Sequence, residues 1–90
     1  MRILQSRLFK NAVKRLHVNQ KCDLDEAVRA IAADPAMGDA KVGDLAGVRV
    51  FKFKMTNQLT LLAYEYEEEN GALKLLALGS HENFYRNLKR

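Results

Sequence analysis

The apolar residues of this chain change period partway along it. They recur every three or four positions as far as Ile31, and every second position from Val48 onward. A helix stacks residues i, i+3 and i+4 on one face, whereas a strand alternates its faces, so the two halves form different secondary structures. Leu4, Leu8 and Ala12, together with Phe9, Val13 and Leu16, mark an amphipathic helix over residues 2–16 with Arg7, Lys10 and Lys14 on its outer side. Asn19-Gln20-Lys21 interrupts that pattern. A second helix opens with Asp23 as N-cap and Glu26 three residues on, and it buries Leu24, Ala27, Val28 and Ile31. It stops at Asp34-Pro35, because the residue before a proline is steered out of the helical region.

Residues 36–47 carry Gly38, Gly43 and Gly47 without periodicity and read as a loop. Strand alternation follows. Phe51, Phe53 and Met55 point one way and Lys52 and Lys54 the other, in a first strand over residues 48–55. Asn57-Gln58 marks a turn into a second strand over 59–68, and a third strand covers 72–78. Between these two sits Asn70-Gly71, a strong short hairpin signal because both residues tolerate positive φ. A two-residue turn there sets Tyr66 opposite Leu75 and Tyr64 opposite Ala77, on the face that covers the helices. Glu67 then faces Lys74, Glu65 faces Leu76 and Ala63 faces Leu78 on the open face. The expected architecture is α+β, one domain over residues 1–90. An N-terminal helical hairpin packs on an antiparallel sheet of three or four strands, and a short C-terminal helix opens at Ser80.

Composition narrows the function. The net charge of +4 conceals blocks: six bases and no acid in residues 1–21, six acids and two bases in 22–47, then Arg49, Lys52 and Lys54. Glu65, Glu67, Glu68 and Glu69 follow, and residues 71–90 hold four bases against Glu82. Such a pattern implies a positive and a negative side. The single cysteine, Cys22, excludes an internal disulfide and a cysteine zinc site, and the role of a partly buried small residue suffices for it. For His17 a helix-end or surface role suffices. No apolar run approaches the roughly 20 residues a membrane span needs, and the chain reads as cytoplasmic, with no membrane partner. Phosphate-binding glycine loops, dinucleotide fingerprints, nucleophile triads and metal-ligand spacings are absent from the sequence.

One constellation remains: Lys52 and Lys54 on the open sheet face, His81 just past the third strand, and Tyr85 four residues on. Histidine titrates nearest neutral pH. In a helix, the four-residue spacing sets His81 and Tyr85 on one side. Two lysines beside such a pair can hold a phosphodiester, stabilise the charge of its transition state and move protons. Cleavage of RNA by this route needs neither metal nor cofactor, because the ribose 2′-hydroxyl is the nucleophile.

The order and wording of the segments are informative. A helical hairpin precedes Leu45-Ala46-Gly47-Val48-Arg49-Val50-Phe51-Lys52-Phe53-Lys54, and Leu61-Leu62-Ala63-Tyr64 follows. Next comes Leu76-Ala77-Leu78-Gly79-Ser80-His81-Glu82-Asn83-Phe84-Tyr85. This succession resembles the RelE/ParE superfamily of bacterial type II toxins along essentially the whole chain, with the usual first strand missing or cut to a few residues. The resemblance implies a ribosome-dependent mRNA endonuclease held inactive by a cognate antitoxin, with Lys52 and Lys54 on the scissile phosphate. It implies His81 as acid or phosphate ligand and Tyr85 as the aromatic that stacks on a base or assists proton transfer. Arg7, Lys10 and Lys14, with Arg49, Arg86 and Lys89, would then contact RNA or the ribosome. Many relatives carry an arginine in the second strand, two or three residues before its tyrosine. Here Thr60-Leu61-Leu62-Ala63-Tyr64 holds no base, and Arg86 or Lys89 would have to substitute. The alternatives are a ParE-type poison of DNA gyrase and a non-catalytic basic module that binds nucleic acid.

Overall fold

The computed structural model describes residues 1–80. The elements run β1 (Arg2–Gln5), α1 (Arg7–Lys14), α2 (Val18–Ala33), β2 (Asp39–Ala40), a 3-10 turn (Gly43–Leu45), β3 (Arg49–Met55), β4 (Gln58–Glu67) and β5 (Ala72–Gly79). The fold is α+β, as expected. The sheet has five strands in the order β1-β5-β4-β3-β2, and it is mixed, because β1 runs parallel to β5. The expected C-terminal helix and the candidate residues His81, Tyr85, Arg86 and Lys89 lie outside the described residues.

Two corrections concern the helices. Residues 2–5 are a strand rather than the first turn of a helix, so the reduced first strand is present. Arg2 to Gln5 pair in register with Ala72 to Leu75, and Ser6 then caps α1, its Oγ accepting from the Phe9 amide at 3.0 Å. The Ser6 hydroxyl donates to the Leu76 carbonyl at 2.6 Å, which fastens the start of the helix to β5. The second helix starts six residues earlier than expected, with His17 rather than Asp23 at the N-cap position. Asn19-Gln20-Lys21 does not break it: the Gln20 side chain accepts from the His17 amide at 2.8 Å and satisfies an otherwise orphaned donor. Asp23, placed mid-helix, instead accepts from the Thr56 amide and ties α2 to the β3–β4 turn. Cys22, expected to be partly buried, is exposed on this helix because the helix begins before it and turns it to the outer side. The helix ends at Ala33, before Pro35, as the sequence requires.

The strands also differ in register. Thr56 and Asn57, both with positive φ, form a two-residue turn between the paired Met55 and Gln58, one residue before the expected position. The β4–β5 connection is longer than expected, spanning residues 68–71. Gly71 has φ +58 and donates back to the Glu68 carbonyl. Tyr66 therefore faces Leu73, Tyr64 faces Leu75 and Glu65 faces Lys74, two positions from the expected pairing. A shift of two leaves each side chain on its own face. An irregularity at Ala63/Tyr64 then moves the register back by one, so that Ala63 faces Ala77 rather than Leu78; with this odd offset Ala77 lies on the open face and Leu78 on the helix side, the reverse of the expectation.

Both helices lie on one face of the sheet, α1 against β5 and α2 against β3. There Phe9, Leu24, Ile31, Met55, Leu62, Tyr64, Leu73 and Leu75 form the core, with Phe51 and Phe53 packed at its margin. Each large apolar side chain buried this way contributes about 1.5–3 kcal/mol. On the opposite face Val50, Leu61, Ala63 and Ala77 form a second buried cluster.

Candidate functional site

Alternation in β3 decides where the two lysines go. Phe51 and Phe53 take the helix side, stacked with ring centroids 6.0 Å apart. Lys52 and Lys54 stand exposed on the opposite face, beside Leu61 and Leu59 of β4. Two residues of a strand advance about 6.6 Å, so the ammonium groups share one patch. Among the described residues neither has a carboxylate within ion-pair distance. Lys74 on β5 differs. It pairs with Glu67, diagonally across from it, and that hydrogen bond raises the Lys74 pKa and lowers that of Glu67. Lys52 and Lys54 thus stand on this face as two neighbouring cations without an ion-pair partner among the described residues.

Leu61 occupies the strand position next to the lysines, and it is 0% exposed within the second apolar cluster. The face between Lys52 and β5 is accordingly aliphatic, as the absence of a base from Thr60–Tyr64 foretold. Arg7, Lys10 and Lys14 are exposed on α1, on the helical side of the sheet. The structure does not bring them together with Lys52 and Lys54; the two basic surfaces look in opposite directions.

Arg49 is a third case. Its Nη1 donates to the carbonyls of Gly38 (2.9 Å) and Ala36 (3.2 Å), so this guanidinium clamps the loop after α2. Tyr64, fully buried and opposite Arg49, donates to the Pro35 carbonyl at 2.7 Å and accepts from the Gly38 amide at 2.9 Å. Burial raises its pKa above the ordinary 10.0, an effect that the Gly38 hydrogen bond and the Arg49 charge oppose. A cleft of about 440 Å³ adjoins this clamp, lined by Asp34, Pro35, Ala36, Gly47, Arg49, Tyr66 and Glu68. Sequence reasoning missed the clamp. Its only local signal was Asp34-Pro35 followed by Gly38, and the partners lie on distant strands. No group of three metal-ligating side chains is present among the described residues, and no helix among them is long and apolar enough to cross a membrane.

Solved structures with this architecture define the class of fold. The chain is similar to RelE in the intact E. coli RelBE toxin–antitoxin complex, with TM-score 0.72 and 14% identity over 90% of this chain and 96% of that one. The isolated E. coli RelE toxin aligns with TM-score 0.70 and 14% identity, over 90% and 84% of the two chains. An E. coli RelE double mutant bound to a RelB antitoxin peptide aligns with TM-score 0.71 and 12% identity, over 99% and 94%. No curated protein sequence matches. The chain belongs to the ParE-like toxins of type II bacterial toxin–antitoxin systems, whose family model matches residues 3–89.

Proposed function

We propose that this toxin is a ribosome-dependent, metal-independent mRNA endonuclease that inhibits translation until a cognate antitoxin binds it. The observation that carries this reading is the exposed pair Lys52 and Lys54, side by side on the open face and unmatched by a carboxylate among the described residues. In the reaction the ribose 2′-oxygen attacks phosphorus and the bond to the 5′-oxygen breaks, leaving a 2′,3′-cyclic phosphate and a 5′-hydroxyl. The lysines stabilise the charge that builds on the phosphoryl oxygens. His81 and Tyr85 take the proton from the 2′-hydroxyl and return one to the 5′-oxygen. Arg7, Lys10 and Lys14 meet ribosomal RNA phosphates, and Arg86 or Lys89 supplies the cation that β4 lacks. The likeness in fold to RelE, captured with RelB in one of those structures and with a RelB peptide in another, supports the antitoxin partner.

Leu61 favours a second reading. A buried leucine beside the lysines leaves this face without a cation at that point, as suits a binding poison of DNA gyrase that needs no catalytic constellation. The two readings separate in one experiment: induction of the toxin alone, with mRNA ends and DNA damage mapped in the same cells. Cleavage inside translated coding regions, relieved by His81→Ala or Tyr85→Phe in folded protein, is the expected result. Intact mRNA with an SOS response and supercoiling defects would sink the endonuclease and establish the gyrase poison.

A further inference from the structure

The connection between β4 and β5 carries a chemically reactive pair of residues. Asn70 is the one asparagine of the chain that is followed by a glycine. An asparagine side chain places its Cγ where the next backbone nitrogen can close a five-membered ring on it. A side chain on that next residue shields the nitrogen, and glycine has none. Asn11 and Asn19 lie inside α1 and α2, whose regular backbone would have to open before such a ring could close. Asn57 sits in the tight β3–β4 turn, and Gln58 after it is paired with Met55.

The surroundings of Asn70 and Gly71 leave the pair accessible. Asn70 is exposed and Gly71 half-buried. A β-carbon built on Gly71 would meet nothing within 4 Å, so the space around this residue is open to water. The Gly71 amide donates to the Glu68 carbonyl at 3.3 Å, longer than the about 2.7–3.2 Å of a firm bond. Nδ2 of Asn70 donates to Oε2 of Glu67 at 3.0 Å, and Glu67 also pairs with Lys74 on β5. Asn70 thus helps to hold the carboxylate that ties this end of the hairpin together.

We propose that Asn70 is a site of spontaneous modification in the folded toxin, converted through a cyclic imide to aspartate and isoaspartate. Hydroxide removes the Gly71 amide proton, and the nitrogen attacks Cγ of Asn70. The new N–Cγ bond forms and the Cγ–Nδ2 bond breaks. The departing nitrogen takes a proton from water and leaves as ammonia, which regenerates the hydroxide. Water then opens the ring at either carbonyl, and no oxidant or reductant takes part. This inference is independent of whether the toxin's target is mRNA or gyrase.

The products undo the corner. A carboxylate replaces the amide that donates to Glu67, and a further negative charge joins Glu65, Glu67, Glu68 and Glu69. Isoaspartate also routes the main chain through the side-chain carbonyl, lengthening the connection that sets the β4–β5 register.

The test incubates the full chain at neutral pH in water labelled with heavy oxygen, one sample folded and one in urea, and maps each asparagine by mass. Label should enter position 70 ahead of every other asparagine, with isoaspartate exceeding aspartate. Because an exposed connection opens at little cost, the folded rate should lie within about tenfold of the rate in urea. Asn70→Gln, whose ring would be one atom larger, should leave the same peptide unlabelled. Hydrogen exchange of the Tyr66 and Leu73 amides should quicken in the aged wild type and stay constant in aged Asn70→Gln. Greater protection by the fold, aspartate without isoaspartate, or earlier labelling of another asparagine would overturn the proposal. So would unchanged exchange in the aged wild type.

Discussion

Gly38 shows how little room a single residue leaves in this fold. A β-carbon there would lie 2.7 Å from the Tyr64 hydroxyl, 2.9 Å from its ring and 3.1 Å from the Val50 carbonyl. The hydroxyl cannot withdraw without breaking its bonds to Gly38 and Pro35. Gly38→Ala should therefore cost about 1–3 kcal/mol in urea unfolding, and a neutral result would show that the loop yields. Tyr64→Phe tests the other partner. It leaves the Gly38 amide and Pro35 carbonyl without their partner, at a cost of about 1–3 kcal/mol near neutral pH. Its pH dependence is also distinctive. The folded chain holds the Tyr64 proton to higher pH than the unfolded chain, whose tyrosine titrates near the ordinary 10.0. The stability this contributes is complete below that value and is lost as pH rises through the raised folded pKa. Unfolding free energies of the wild type should consequently fall more steeply above pH 10 than those of Tyr64→Phe, and parallel curves would refute the assignment.

At the scale of elements, the strands were legible where local chemistry set them and not where a distant partner did. The lysine pair followed from alternation alone, and so did the faces of Phe51, Phe53 and Tyr64. Residues 2–5 did not follow, because Leu4 and Leu8 fit a helical spacing as well as a strand preceding a cap. Pairing with β5 decides between them, and no local pattern reports that pairing. Ser6→Ala removes both the cap and the link to Leu76, and should cost about 1–2 kcal/mol; a smaller loss would mean that pairing alone fixes the boundary. The β4–β5 register was misread because Asn70-Gly71 closes a four-residue connection; up to Tyr64 the slip is even and the faces survive, but past the Ala63/Tyr64 irregularity it is odd, and Ala77 and Leu78 lie on the faces opposite to those expected. The β3–β4 turn holds a further opportunity. Thr56 is β-branched at φ +48, a conformation that costs about 1 kcal/mol or more. Asparagine tolerates it, so Thr56→Asn should raise the thermal midpoint, and a lower midpoint would indicate that the Thr56 hydroxyl bond to the Met55 carbonyl outweighs the strain.

The whole molecule separates two basic surfaces, and that separation makes their roles distinguishable. Lys10 and Lys14 lie on the helical side, Lys52 and Lys54 on the far side of the sheet. No one RNA phosphate can touch both. If the proposed endonuclease reading holds, the α1 stripe acts in docking to the ribosome and the β3 pair in the chemical step. Lys10→Glu with Lys14→Glu should raise the ribosome concentration needed for half-maximal cleavage and flatten its salt dependence, because each lost phosphate contact lowers the number of released counterions. The rate at saturating ribosomes should stay near that of the wild type. Lys52→Ala with Lys54→Ala should do the reverse, lowering the saturated rate by about a hundredfold or more while leaving half-saturation within a few-fold. Circular dichroism on both variants shows whether each is folded, since all four side chains are exposed. Should both variants lose affinity alike with no change in saturated rate, the lysines of β3 would be binding groups only, and the catalytic role assigned to that face would fall.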